Sequence, residues 1–178
     1  RMNQRDKISA YEVVNEYAEA DLRSVFCQYG ELKNAPKLAR LIVQERAENP
    51  IETGDHLKEL LTPFLFKGKE FKILAQIYQA IRIEVNQEIQ VLKEFLQQTE
   101  EVLEPGGRIS LISYHSLEDR LVKRYIRNGL FEGEPEKDVF GRVEVPFKKV
   151  GKLITPSKKE IEENNRARSA KLRIGERI

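Results

Sequence analysis

The apolar positions of this chain repeat with a period near 3.6 over its first hundred residues and then switch to a shorter period. Ser9, with Glu12 three residues on, has the form of a capping box, in which each side chain satisfies a backbone donor that the first helical turn leaves orphaned. Tyr11, Val14 and Tyr17 follow it. Leu22, Val25, Phe26 and Tyr29 are spaced i, i+3, i+4, i+7, the stripe of an amphipathic helix. Gly30 is placed to close that helix as a left-handed cap. Pro36 can open a third helix, with Leu38, Leu41 and Ile42 as its apolar face, up to Asn49-Pro50. Thr53 or Asp55 can cap a fourth, carrying Leu57, Leu60, Leu61 and Phe64. Stripes on one side only predict helices that pack on each other as a small bundle. After a break at Gly68, a helical pattern runs from about Phe71 to Leu103 through Ile73, Ile77, Ile81, Val85, Ile89, Leu92 and Leu96. The pattern fits one kinked helix or two.

Pro105-Gly106-Gly107 ends this stretch sharply. Ile109, Leu111 and Ile112 then form a short, nearly continuous apolar run, which predicts a buried strand over Arg108–Tyr114. Leu117, Leu121, Val122 and Tyr125 trace a further helix. Helix, tight turn, strand and helix in that order predict an α/β fold, mostly helical here, around an open parallel sheet covered on its faces. Phe131 to Phe147 reads as a loop, Val150 to Thr155 as a strand, and Pro156 to Glu163 as a turn with a short helix. Ala170, Leu172 and Ile174 alternate with Lys171, Arg173 and Gly175, the period-2 pattern of a final strand.

Composition narrows the class. Of 178 residues, 40 % are hydrophobic and 34 % charged, enough apolar material for a packed core and too much for wholesale disorder. No apolar run approaches the roughly 20 residues needed to span a bilayer, and no secretory signal is present. No membrane partner is expected, and a cytoplasmic protein fits. Cys27 is the only cysteine, which excludes a disulfide framework and a cysteine-cluster zinc site. Beside Val25 and Phe26 on a helical pattern, it is expected to be buried and inert. His56 and His115 are too few and too far apart to suggest a metal site. The net charge of +2 is uneven: residues 142–178 hold 11 Lys or Arg against 5 Glu, and residues 108–128 hold 5 basic against 2 acidic side chains. That concentration suits a polyanion, although a solvated charged surface explains a basic tail equally well. The chain opens Arg1-Met2-Asn3, with no methionine at position 1, as a fragment would.

In open α/β sheets, ligands bind beyond the C-terminal ends of the strands. The strand from Arg108 ends at Tyr114, His115 and Ser116, the best-placed candidate cluster. Ser116 can equally cap the next helix with Asp119 as its capping-box partner, and His115 can be an acid, a base or a hydrogen-bonded strand-end residue. Nothing completes a Ser-His-Asp triad, so a hydrolase is rejected. Arg82 and Asn86, four apart on one helix face, could reach a phosphate or a base edge; a contact of Arg82 with Glu84 or Asn86 that braces the helix is the simpler reading. Arg166 and Arg168, among small residues before the last strand, could clamp a phosphate or form surface salt bridges. Neither a dinucleotide nor a P-loop glycine pattern occurs. Gly106-Gly107 precedes a strand, whereas a phosphate-binding glycine loop follows one.

Four stretches together resemble the ribosomal RNA small subunit methyltransferase H family of bacteria: Arg1-Met2 with Ser9-Ala10, Ala80 through Asn86, Pro105 through Arg120, and Arg166 through Arg173. They stand in the family's order and span essentially the whole chain. The resemblance implies a class I methyltransferase, with a helical insertion in a Rossmann-like sheet. Residues 1–6 would be a remnant of the catalytic domain, 7–70 the insertion, and 71–178 the rear of the sheet. The implied reaction transfers a methyl group from the sulfonium of S-adenosylmethionine to the exocyclic amine of a cytidine in small-subunit ribosomal RNA, or in the ribosomal subunit. Little acid–base help is needed, and positioning contributes most. The cytidine would be unstacked into a pocket walled by the insertion and by Tyr114–Ser116, with the basic segments holding RNA phosphates. The donor's site would lie upstream of residue 1, with roughly the front two fifths of such a protein missing and the fragment inactive alone. No residue is assigned as catalytic, and the aromatic that stacks on the base, Tyr11 or Tyr17 among others, is left open. A half sheet has an unpaired edge, which predicts a homodimer or further upstream residues to cover it. A helical RNA-binding module without enzymatic activity is the rival reading; a fragment of a nucleotide-dependent ligase is a second, opposed by Ser113–Arg120.

Overall fold

Local capping chemistry sets where the first helices begin. In a computed structural model, which describes residues 8–136, 138–141 and 143–178, Ser9 and Glu12 form the expected capping box and open α1 (Ala10–Asn15). α2 spans Glu19–Gln28, and Pro36 sits in the first turn of α3 (Ala35–Arg46). The Thr53 hydroxyl accepts from the His56 N–H and opens α4 (Gly54–Leu61). α5 runs over Glu70–Asn86. The described residues divide into two compact units, the first ending at Glu88 and the second spanning Ile89–Ile178.

In the first unit the predicted stripes meet as a helical bundle. Val13, Leu22, Phe26, Leu38, Ile42, Leu61 and Ile77 are all fully buried. Two expectations fail here. Cys27 is exposed, because it follows Phe26 by about 100° of helix rotation and so leaves the stripe that Leu22, Val25 and Phe26 bury. Gly30 is not the left-handed residue; that is Glu31, with φ 51°. Gly30 is instead required by a close approach, since a Cβ there would lie 2.7 Å from the Phe26 carbonyl oxygen. The long helical pattern resolves into two helices. Gln87 takes the left-handed conformation (φ 50°, ψ 35°) and ends α5, and α6 (Glu88–Val102) begins at the next residue.

The second unit is built on three strands, β1 (Arg108–Ser113), β2 (Phe147–Ile154) and β3 (Lys171–Arg177), in the order β1-β3-β2. Both pairings are antiparallel, so the parallel sheet expected from the element order is not what the described residues form. β1 is an edge strand among them, and Ile112 is 59 % exposed. Buried and open positions alternate along it, as in an antiparallel sheet with one face covered. α7 (Ser116–Asn128) covers that face. Val122, Tyr125 and Ile126 from α7 join Leu96 of α6, Ile109 of β1 and Phe147 of β2 in one core. The Tyr125 ring stacks on Phe131 with centroids 4.8 Å apart, and its hydroxyl donates to Glu100. α8 (Lys158–Glu163), capped by Ser157, and a 3-10 helix over Asn165–Ser169 lead into β3.

Candidate functional site at the end of the first strand

β1 delivers Tyr114 to its C-terminal end, where the side chain is 57 % exposed. The residues behind it are pinned twice. First, His115, not Ser116, is the N-cap of α7, and its capping-box partner is Glu118, not Asp119. His115 Nδ1 accepts from the Glu118 N–H at 3.4 Å, and a Glu118 carboxylate oxygen accepts from the N–H of Tyr114 at 2.9 Å and of His115 at 3.3 Å. His115 Nε2 lies 3.1 Å from the other Glu118 oxygen, close enough for charge attraction though not aligned for a hydrogen bond. Burial pushes the Glu118 carboxyl up, but the His115 side chain and these N–H donors outweigh it and hold the carboxyl below its ordinary range. Ser116 is the exposed first residue of the helix.

Second, Asp119 faces inward from the same turn of α7 and is only 7 % exposed. Arg173 of β3 donates to it through two nitrogens, at 2.7 and 3.1 Å, and Lys171 donates at 3.2 Å. Burial alone would raise the Asp119 pKa; the two cations more than reverse that and hold it below the usual carboxylate range. Cross-strand pairing puts Lys171 opposite Ser113 and Arg173 opposite Leu111. A single buried carboxylate therefore ties the start of α7 to the strand beside β1. The sequence reading gave Asp119 a capping role and missed its ion pairs with Lys171 and Arg173. The available signal was an acid at the i−3 and i−7 positions of Val122 and Ile126, on the helix's apolar stripe.

The other predicted residues lie apart from this turn along the chain. Arg82 and Asn86 are brought together, but by Glu88: Arg82 donates to its two oxygens at 2.9 and 3.0 Å, and Asn86 donates at 3.2 Å. The bracing contact is thus real, with a partner outside the pairs considered from the sequence. Glu84 instead accepts from the Tyr17 hydroxyl at 2.7 Å, which commits Tyr17 to the bundle. Tyr11 is 43 % exposed and lines a cleft of about 280 Å³ in the first unit with Tyr78, Ile81 and Arg82. Arg166 and Arg168 are exposed on the 3-10 helix, where the Asn164 side chain accepts from the Arg166 backbone N–H at 3.1 Å. Neither guanidinium has a carboxylate partner among the described residues, so the predicted surface salt bridges do not form there. Arg1 and Met2 lie outside the described residues.

The Gly106-Gly107 turn has its backbone in use: the Gly106 N–H donates to the Arg177 carbonyl at 2.9 Å, and the Arg177 N–H to the Gly107 carbonyl at 2.8 Å. No helix among the described residues is long and apolar enough to cross a membrane.

The model of the MraW methylase family matches residues 1–178. The chain belongs to the MraW methylase family. Its relatives include proteins named ribosomal RNA small subunit methyltransferase H from Christiangramia forsetii, 74 % identical over 178 residues, and Flavobacterium johnsoniae, 66 % identical over 178 residues, each matched over 100 % of this chain and 59 % of the relative. The protein of the same name from Cytophaga hutchinsonii is 50 % identical over 177 residues, 99 % of this chain and 59 % of its own length. This MraW-family chain therefore spans about three fifths of the curated relatives it matches.

Proposed function

We propose that this chain is the substrate-handling part of an enzyme that methylates the exocyclic amine of a cytidine in small-subunit ribosomal RNA, with S-adenosylmethionine as the donor. The donor's site is assigned to the part of the relatives' length that this chain does not span, and the backbone of the Gly106-Gly107 turn, engaged with Arg177, is consistent with that assignment. Residues 7–70 serve as the helical insertion, and residues 71–178 as the rear of a Rossmann-like sheet. The free edge of β1, which has only β3 as a neighbour among the described residues, supports a sheet that continues beyond it.

The observation that carries this reading is Tyr114. It stands exposed immediately beyond a strand end tied down by the Glu118 capping box and by the ion pairs of Asp119 with Arg173 and Lys171, where open α/β sheets bind ligands. An aromatic held there can stack on a base taken out of its helix, an interaction worth about 1–3 kcal/mol. Holding the base still is the larger share of what the protein must supply to a methyl transfer. His115, occupied by Glu118 on the inner side, acts here by fixing Tyr114 and not by moving protons. Arg166 and Arg168 hold RNA phosphates, and Tyr11 with Arg82 lines the base-sized cleft of the first unit. An enzyme with this substrate works in the cytoplasm.

The test uses the full-length protein. Tyr114→Ala should lower kcat/KM for methylation of small ribosomal subunits by about 10- to 100-fold, leave S-adenosylmethionine affinity by calorimetry unchanged, and be rescued by Tyr114→Phe. A rate within twofold of wild type would remove Tyr114 from the site. A full-length protein that binds RNA but no S-adenosylmethionine would favour the rival reading, an RNA-binding module.

A further inference from the structure

The sequence showed an excess of basic residues near the C-terminus without showing which of them are free. The structure sorts them. β2 and α7 enclose a cleft of about 500 Å³ whose rim carries Lys123 and Arg127 from α7 and Lys148, Lys149 and Lys152 from β2, above a floor that includes Ile126, Phe147 and Leu153. Among the described residues, no aspartate or glutamate lines it. Lys148 is engaged with Glu176 at 2.7 Å. Lys123, Arg127, Lys149 and Lys152 are exposed, and none has a carboxylate partner among the described residues. Cations gathered around a concave surface without counter-charges repel one another, and a bound polyanion relieves that repulsion.

The backbone of β2 is irregular at this point. Val150 pairs with Ile174 and Ile154 with Leu172, so four steps along β2 match two along β3. Gly151, at φ +65°, allows that bulge. Bulges re-aim side chains at the edges of sheets, and here Lys149, Lys152 and Leu153 all line the one cleft. Lysines on an edge strand also discourage aggregation. That explains the lysines of β2 but not Lys123 and Arg127, which lie on the helix.

We infer that the cleft between α7 and β2 is a docking site for the phosphate backbone of RNA, made of residues other than Tyr114–Ser116 and other than Arg166 and Arg168. The identification of the polyanion as RNA rests on the function proposed above; the site itself does not. The cleft suits backbone contact more than base readout, because it presents mostly flexible ammonium groups, with one exposed guanidinium, around a largely apolar floor. It would hold a segment of the RNA away from the modified nucleotide, so its contribution falls on substrate affinity and not on the methyl-transfer step.

The experiment compares the full-length protein with its Lys123→Gln/Lys149→Gln/Lys152→Gln variant, whose three changes touch exposed side chains without a carboxylate partner among the described residues and should leave the fold intact, as circular dichroism and thermal unfolding will check. Binding of a labelled oligouridylate and of small-subunit ribosomal RNA is measured by fluorescence anisotropy across a salt series. Losing three phosphate contacts should lower the magnitude of the slope of log K against log salt by about 2 to 3. The KM for methylation of small subunits should rise by about tenfold or more at physiological salt while kcat is kept. A control variant, Lys33→Gln/Lys58→Gln/Lys72→Gln, removes the same charge from exposed positions of the first unit and should change the oligouridylate slope less. An unchanged slope in the cleft variant overturns the inference. So does an equal fall in the control, which would mean diffuse charge, and so does a loss of binding to phosphatidylserine vesicles with RNA binding intact. Wild-type protein that binds RNA through the cleft yet transfers no methyl group would refute the proposed reaction and leave the cleft standing.

Discussion

Asp119 gives the sharpest test of how the candidate site is held. Replacing it with Asn keeps the shape and removes the charge. The new carboxamide can still accept one hydrogen bond from Arg173, but its NH2 group now faces a second donor where a carboxylate oxygen received Lys171 and the other Arg173 nitrogen. The Arg173 side chain is 15 % exposed, so its charge is left largely buried and unpaired. Removing one partner of a buried pair costs about 3–5 kcal/mol. Lys171 is 38 % exposed and can turn to solvent, which places the expected loss near the lower end, about 3 kcal/mol. With a urea dependence of about 1–3 kcal/mol per molar, the unfolding midpoint at neutral pH should fall by about 1–3 M.

The pH dependence follows from the sign of the shift. The Asp119 carboxyl is held below its ordinary value of 3.8. The folded state therefore gains from ionisation, fully so above the unfolded pKa, and loses that gain as pH falls through the depressed folded value. Wild type and Asp119→Asn should differ by a constant amount from about pH 5 to 8, and the gap should close only in acid. Amide exchange should place the loss in α7 and β3. A loss under about 0.5 kcal/mol at neutral pH, a gap undiminished near pH 2, or loosened amides in α2 and α3 instead would each refute the reasoning.

Glu118→Ala should cost about 1 kcal/mol, the worth of a cap, and because the Glu118 carboxyl is also depressed below 4.5, the cost should shrink as pH falls below that value; a cost that grows in acid would contradict the capping role. Gln87→Gly should stabilise the first unit by about 0.5 kcal/mol, since relief of a left-handed residue, about 1–2 kcal/mol, exceeds the glycine entropy of about 0.5–1 kcal/mol; a lower unfolding midpoint would show that Gln87 makes a contact worth more than its strain. Arg166→Ala with Arg168→Ala should reduce the RNA salt slope by about 1 to 2 without changing thermal stability, and an unchanged slope removes both from the interface.

Helix starts were legible because capping is local: Ser9 with Glu12, Pro36 and Thr53 each declare a boundary within four residues. The end of α5 was not, because Gln87 adopts a left-handed conformation without being glycine or asparagine. Strand positions were legible and their pairing was not. Antiparallel order β1-β3-β2 depends on distant partners, from 58 to 68 residues apart for β1 with β3 and from 18 to 30 for β2 with β3, and an αβα rhythm is silent on which strand lies beside which. The capping error has a physical cause that combines both levels. His115-x-x-Glu118 and Ser116-x-x-Asp119 are overlapping frames of the same motif, and serine is the commoner cap. The frame is decided by β3, where Lys171 and Arg173, two apart on one face, claim Asp119 and leave Glu118 as the residue free to reach back. A tertiary ion pair thus chose a local register.

The same sorting governs the basic charge that first suggested a polyanion. Arg173 and Lys171 are held by Asp119, Arg108 and Lys148 by Glu176, and Arg177 donates to the Pro146 carbonyl at 2.9 Å. These cations neutralise groups of the fold and release few counterions when RNA arrives. Lys123, Arg127, Lys149, Lys152, Arg166 and Arg168 have no such partner among the described residues. A net charge counts both sets alike, whereas a salt slope counts only phosphates newly neutralised. Charge removal should therefore separate cleanly by partner. Lys148→Gln, in a pair whose Glu176 is only 17 % exposed, should lower stability and leave the RNA salt slope unchanged. Lys149→Gln, the next residue along the same strand, should do the reverse. Equal effects of these neighbours on the slope would mean that RNA senses the overall field of the domain and not the particular free cations of the cleft.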